Sequence, residues 1–338
     1  MPLRVLSRRF FSDLFMKNSI KSHLEDTSDS IINGTNPIED LDLKISRLHK
    51  KLEDYDVNSL WDHQKDTKTP NGRCLSPIEA GNCMLDTKRT VEFIRGLHDA
   101  VKEAQKRNPE KRISVLYAGC GPFAALALPM TTQFTPQEVG FTLMDIHGGS
   151  LTYVARIIEE LGLHEYIDDV ICTDATEYHP KEKYDVLVTE TMDRALLYEP
   201  HLAITENLRN SLHENGILVP EKITLGIELK NMTKRAGGTI HAGDFFTLEK
   251  DSEPTSPPGK IEGKVELDSR ANETDIYKIC ITTRVQVFGT HALELNDSMI
   301  TYIEETNECL MKKPGTTIRV KYKAGDNKES IKIYIRPH

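Results

Sequence analysis

No stretch of this chain stays apolar for anything near the roughly 20 residues that a membrane-spanning helix needs. The longest candidate is the short run around residues 123–130. The expectation is therefore a soluble, cytoplasmic protein without membrane contact. Its six cysteines, Cys74, Cys83, Cys120, Cys172, Cys280 and Cys309, lack Cys-x-x-Cys or Cys/His ligand spacing. Neither a metal site nor a disulfide framework is expected, and the thiols read as reduced. Positive charge is in deficit, with 43 Lys and Arg against 52 Asp and Glu and a net charge of −9. Phosphate recognition needs a local excess of cations, so a nucleic-acid partner is not expected. A basic peptide or a small cation suits this balance better.

What is present is enough material for one large or two ordinary domains, 338 residues of which 38% are hydrophobic. The first 24 residues set Arg4, Arg8, Arg9, Lys17 and Lys21 among Leu3, Leu6, Phe10, Phe11, Leu14 and Phe15. That pattern fits an amphipathic transit peptide or a helix that docks on its own or a neighbouring subunit. Residues 1–70 read as a helical accessory or oligomerisation region, because Leu41, Ile45, Leu48 and Leu52 recur at helical spacing. Such a stripe serves a homodimer contact or simply packs on the main domain.

Over residues 71–220 helix and strand signals alternate, with strands at 113–117, 141–145, 170–173 and 184–189 and helices at 79–106, 151–161 and 204–212. Alternation of this kind implies an α/β domain, a Rossmann-like parallel sheet with helices on both faces. Residues 221–338 change character. Runs rich in Val, Ile and Thr at 223–230, 276–288, 317–323 and 330–336 predict a mostly antiparallel, barrel-like β domain. The Pro- and Ser-rich tract 251–260 is expected to be a loop.

The first strand runs into Gly119-Cys120-Gly121. Glycines there let the backbone turn sharply and approach a ligand where a Cβ would collide. Asp145 at the next strand end can accept both ribose hydroxyls of a nucleoside, and Asp174, followed by Ala175, can receive an adenine amino group. A dinucleotide is disfavoured. Phe123 occupies the third-glycine position, and Pro122 lacks the N–H a pyrophosphate would use.

The order of these pieces resembles the protein arginine methyltransferase family within the class I S-adenosylmethionine-dependent methyltransferases. Residues 84–90, Met-Leu-Asp-Thr-Lys-Arg-Thr, resemble the family's helix ahead of the glycine motif. The resemblance implies that Arg89 clamps the carboxylate of S-adenosylmethionine. Residues 189–199, Thr-Glu-Thr-Met-Asp-Arg-Ala-Leu-Leu-Tyr-Glu, resemble its loop carrying two glutamates. By that match Glu190 and Glu199 hold the substrate, Met192 sits between them, and Glu190 also borders the cofactor. The chemistry explains the pair. A guanidinium stays protonated with its lone pairs delocalised, so it is a poor nucleophile until carboxylates fix its charge on one side. A carboxylate can then take up the proton that leaves after transfer.

The resemblance covers roughly residues 82–222 and departs from the family in places. Residues 73–81 lack the tyrosines that precede the family's helix. Tyr117 replaces an acidic residue of its glycine motif. Thr290-His291-Ala292 only partly matches its Thr-His-Trp loop, which makes His291 a candidate substrate residue or a plain strand end. The reading is N-methylation of a guanidino group, with free arginine or a small guanidino compound slightly preferred over protein arginine. The rivals are a class I methyltransferase of an unrelated small molecule and a catalytically silent interaction protein.

Overall fold

The computed structural model describes residues 19–55, 65–233, 238–267, 275–311 and 315–336. Most of the amphipathic start lies outside the described residues. Helix α1 covers residues 19–32 and α2 covers Ile38–Tyr55. The predicted stripe of α2 is buried, Leu41, Ile45, Leu48 and Leu52 each being at most 2% exposed. It packs on this chain's own main domain, where the Tyr153 hydroxyl donates to the Leu52 carbonyl.

A hairpin follows, β1 (Thr67–Thr69) and β2 (Gly72–Cys74), turning on Pro70-Asn71. The single helix expected over 79–106 is instead two. Helix α3 (Pro77–Asn82) is capped by Ser76, and a 3₁₀ turn, Cys83–Leu85, separates it from α4 (Thr87–Arg107). The break has a cause in Asp86. Its carboxylate accepts the Arg89 N–H as an N-cap, and its other oxygen accepts Ser298 Oγ at 2.7 Å and the Met299 N–H at 2.9 Å from the β region. A capping residue committed in this way ends one helix and starts the next.

The parallel sheet uses β3 (Ile113–Ala118), β4 (Val139–Asp145), β5 (Ile167–Cys172), β6 (Tyr184–Thr189) and β7 (Leu212–Val219), in the order β5-β4-β3-β6-β7. Between them lie α5 (Ala127–Met130), α6 (Gly148–Leu161) and α7 (His201–Leu208). Strand β4 is buried along its whole length, as a central parallel strand covered on both faces must be. The chain moves from β3 to β4 on one side and returns to β6 on the other. Open sheets bind ligands at that switch point, beyond the strand C-terminal ends. The helix expected at 204–212 begins and ends earlier, and Leu212 opens β7 as a fifth parallel strand.

The antiparallel region comprises β8 (Lys222–Asn231), β9 (Thr239–Glu249), β10 (Lys260–Glu266), β11 (Ile276–Phe288), β12 (His291–Leu293), β13 (Glu304–Met311), β14 (Thr317–Lys323) and β15 (Lys332–Arg336). One sheet is ordered β12-β11-β8-β9 with β13 also on β11, and another is β10-β14-β15. No closed barrel forms among the described residues, because β9 and β10 belong to separate hydrogen-bonded sheets. The β9, β10 and β13 signals were weak because these strands are only half buried, and exposed polar residues such as Asp244, Glu262 and Asn307 interrupt their apolar pattern. Among the described residues no helix is long and apolar enough to cross a membrane.

Candidate active site

The cavity at the switch point encloses about 1040 Å³ of non-atom space, including its open mouth. Arg89, Gly119, Cys120, Gly121, Asp145, Asp174, Ala175, Glu190, Met192 and Glu199 all line it. His291 does not. It sits between Glu92 (Nδ1 to Oε2, 3.3 Å) and Asp99 (Nε2 to Oδ2, 3.0 Å), tying β12 to α4.

The glycine turn is fixed by tight geometry. Gly119 has φ +75° and Gly121 φ +63°, a region that disfavours L side chains. A Cβ on Gly119 would stand 2.2 Å from Thr191 Cγ2, so this glycine is what lets the loop after β6 come close. Gly121 meets no such obstruction, its nearest neighbour being Ala80 Cβ at 3.6 Å. The Asp145 carboxylate is locked by two backbone donors, Gly121 N–H at 2.9 Å and His147 N–H at 2.8 Å. A carboxylate has about four acceptor sites, so two remain for hydroxyls. Asp174 accepts from Thr176 N–H and Oγ1, both at 2.8 Å. Phe123 turns away from any phosphate-type role and packs edge-on to His49 of α2 and Tyr153 of α6.

Arg89 is 5% exposed. Its Nη2 donates to the Cys83 carbonyl at 2.7 Å, and its Nη1 lies 3.2 Å from Glu190 Oε1. Burial opposes the Arg89 charge, but Glu190, Cys83 and Asp86 together outweigh it and hold the guanidinium above its ordinary pKa. The contact is not aligned as a hydrogen bond. Glu190 Oε1 is left a buried acceptor without a donor among the described residues, a costly state unless a ligand supplies one.

Burial pushes the Glu190 pKa up to about 7, against the opposing pull of Arg89. Glu199 is raised to about 8, first by burial and then by Asp193 and Glu190. Though partly open to the cavity, Glu199 is surrounded by protein. Two carboxylates in one poorly solvated space favour a cationic occupant.

The loop from Glu190 to Glu199 is held from several sides. Asp193 Oδ1 accepts the N–H groups of Tyr198 (3.0 Å) and Glu199 (3.2 Å). Ala195 and Leu196 both have positive φ, 57° and 54°, a strained pair that persists only where the surroundings impose it. The surroundings here are the β region: Thr283 Oγ1 accepts Ala195 N–H at 2.8 Å, Tyr322 OH donates to Ala195 O at 2.6 Å, and Gly325 N–H donates to Leu196 O at 3.2 Å.

Sequence reading missed the hairpin that roofs the site. Arg73 N–H donates to Tyr198 O at 2.7 Å, Asn71 Nδ2 donates to Thr176 Oγ1 at 2.9 Å, and Cys74 lines the cavity. The Pro70-Asn71-Gly72 turn signal was available for it. Asp193 was missed too, and an Asp heading a tight loop was its signal. The cavity thiols are not activated. Burial raises Cys74 to about 12 and Cys83 to about 11.

No protein-family profile matches this chain, and no curated protein matches it. Structure does. The chain resembles one from the Trypanosoma brucei PRMT1 enzyme-prozyme heterotetrameric complex with AdoHcy, at a TM-score of 0.53 and 14% sequence identity, over 75% of this chain and 95% of that one. The two chains share their fold, here a parallel sheet joined to antiparallel sheets and preceded by helices.

Proposed function

We propose that this protein is an S-adenosylmethionine-dependent N-methyltransferase acting on a guanidino group. The observation that carries the reading is the meeting of Glu190 and Glu199 in the cavity that also holds Arg89 and the Gly119–Gly121 turn. The similar structure is a complex with AdoHcy, and the residues here suit the same class of cofactor. Arg89 would take its carboxylate, for which a planar fork is apt. Asp145 would accept the ribose hydroxyls and Asp174 the adenine amino group, with Cys120 and Ala175 beside them. When bound, the cofactor supplies an electrophilic methyl group.

The chain's own contribution is to the acceptor. Glu190 and Glu199 grip the guanidinium and hold its positive charge away from the nitrogen that attacks. The raised affinity of both carboxylates for protons suits them to receive the one released after transfer. Placement within the cavity matters as much as charge, since a near-attack geometry is itself worth several orders of magnitude in rate. The test is an assay with labelled cofactor against free arginine, other small guanidines and arginine-containing peptides. Methyl transfer to none of them, or to an unrelated small molecule, would overturn the reading.

A further inference from the structure

We propose that the outward face of the β10-β14-β15 sheet docks an acidic segment of an arginine-bearing substrate protein, next to the cavity that holds the target side chain. The inference rests on the guanidino-methylating reading above and narrows its substrate to a protein.

The register sets the face. Lys260 lies opposite Lys323, Lys264 opposite Arg319, and Lys321 opposite Lys332, with Arg336 opposite Thr317 at the far end. Their alternate neighbours, Ile261, Val265, Ile318 and Val320, point into the core. Two carboxylates share the cationic face, Glu266 opposite Thr317 and Glu262 directly opposite Lys321, where it also feels the charge of Arg319. Like charges directly opposite on neighbouring strands are destabilising, yet three such pairs stand here in a chain of net charge −9. Lys260 pairs with Glu262, and Lys323 Nζ donates to Pro70 O at 3.1 Å. Among the described residues no ion pair holds Lys264, Arg319, Lys321, Lys332 or Arg336. Glu262 offsets part of the charge at Lys260 and Lys321, and a partner bearing negative charge would relieve what remains, above all between Lys264 and Arg319.

The face is continuous with the site. Pro70, which Lys323 contacts, belongs to the hairpin roofing the cavity, and Tyr322 of the same strand holds the Glu190–Glu199 loop. At this end the rows sink into a depression walled by Pro257, Pro258 and Ser330, with Asp326 and Glu329 also lining it.

Size and charge favour a peptide. Successive outward residues are roughly 6.8 Å apart along a strand, and the side chains of an extended peptide repeat at the same interval. The four rows therefore span roughly 20 Å, room for a short acidic segment. A longer nucleic-acid strand would run past this face on a chain of net charge −9, and the field of the patch fades within about 8 Å at physiological salt.

The experiment compares two fluorescent arginine peptides, one with a flanking run of Asp and Glu and one with Ser and Gly in its place. Binding is read by anisotropy and methyl transfer by labelled cofactor, using the full chain. The acidic run should tighten Kd and lower KM by about tenfold, as several exposed ion pairs together allow, with kcat unchanged and the advantage lost in high salt. The double variant K264E/K332E places a carboxylate opposite Arg319 and another opposite Lys321, so the sheet itself is not weakened. It should erase the preference and leave turnover of the neutral peptide intact.

Equal affinity for the two peptides, or a preference that survives in the variant, overturns the docking surface. So does a single-stranded oligonucleotide that binds the face more tightly than the acidic peptide. Methyl transfer to arginine without any acidic preference sinks this inference alone. Acidic-peptide binding that depends on Lys264 and Lys332, with no transfer to any arginine, counts against the chemistry and not against the surface.

Discussion

Asp193 Oδ1 accepts the backbone N–H of Glu199 at 3.2 Å. One carboxylate thereby positions the main chain that carries another, and its charge also raises the proton affinity of the Glu199 side chain. Asp193→Ala should lower kcat/KM for the guanidino substrate by about tenfold or more, since loss of hydrogen bonds of this kind costs on the order of 1–3 kcal/mol. Asp193→Asn keeps an acceptor oxygen and should recover much of the activity. Equal losses in the two variants would show that the hydrogen bonds do not position the loop.

Glu199→Gln keeps shape and removes charge. Turnover on a guanidino substrate should fall by about a hundredfold or more, while calorimetry should show S-adenosylmethionine binding little changed. Near-normal turnover would favour a substrate with no guanidinium to hold.

The pH profile follows from the pair. With Glu190 and Glu199 raised to about 7 and about 8, the substrate-free site holds protons at neutral pH. A guanidinium needs the ionised form, so kcat/KM should climb as pH rises through that range and then level. The two groups titrate together, so the profile reports the pair. A profile flat between about pH 6 and 9 would contradict a role for these carboxylates.

Stability should move the opposite way. Glu199 binds its proton more tightly in the folded chain, at about 8 against an ordinary 4.5. Its favourable contribution is complete below 4.5 and is lost as pH rises through about 8. Glu199→Gln should therefore raise Tm above about pH 8 and change it little near about pH 4.5. A drop in Tm at high pH would mean that the charged form is already compensated inside the cavity.

Gly119→Ala should abolish cofactor binding measured by calorimetry, because the new Cβ meets Thr191 at 2.2 Å. Gly121→Ala has room and pays only the positive φ, about 1–2 kcal/mol. The reverse order of severity would show that the close approach of the loop is not what the glycine serves.

His291 holds β12 against α4. Its hydrogen bond to Glu92, with burial opposing, raises its pKa above the ordinary 6.5. The stabilisation is thus complete below pH 6.5 and is lost as pH rises through the folded value. His291→Gln should lower Tm more at about pH 6 than at about pH 9. Catalysis by the folded variant should persist, since His291 lies outside the cavity lining.

The sequence by itself determined the local pieces. Apolar runs ending in Gly119-Cys120-Gly121, Asp145 and Glu190 define buried strands and the groups at their ends, because strand burial and turn chemistry are written in short-range pattern. The nine-residue spacing of Glu190 and Glu199 was equally legible. Only the tertiary structure decided what long-range packing controls: that Asp86 splits the expected helix because Ser298 and Met299 bond to it, that the 67–74 hairpin covers the cavity, and that His291 stands apart from it. The cationic face is the clearest case. Alternation in Thr317–Lys323 was visible in the chain, but strand register alone put Lys264 and Lys332 on either side of it, and register is set by partners far away in sequence.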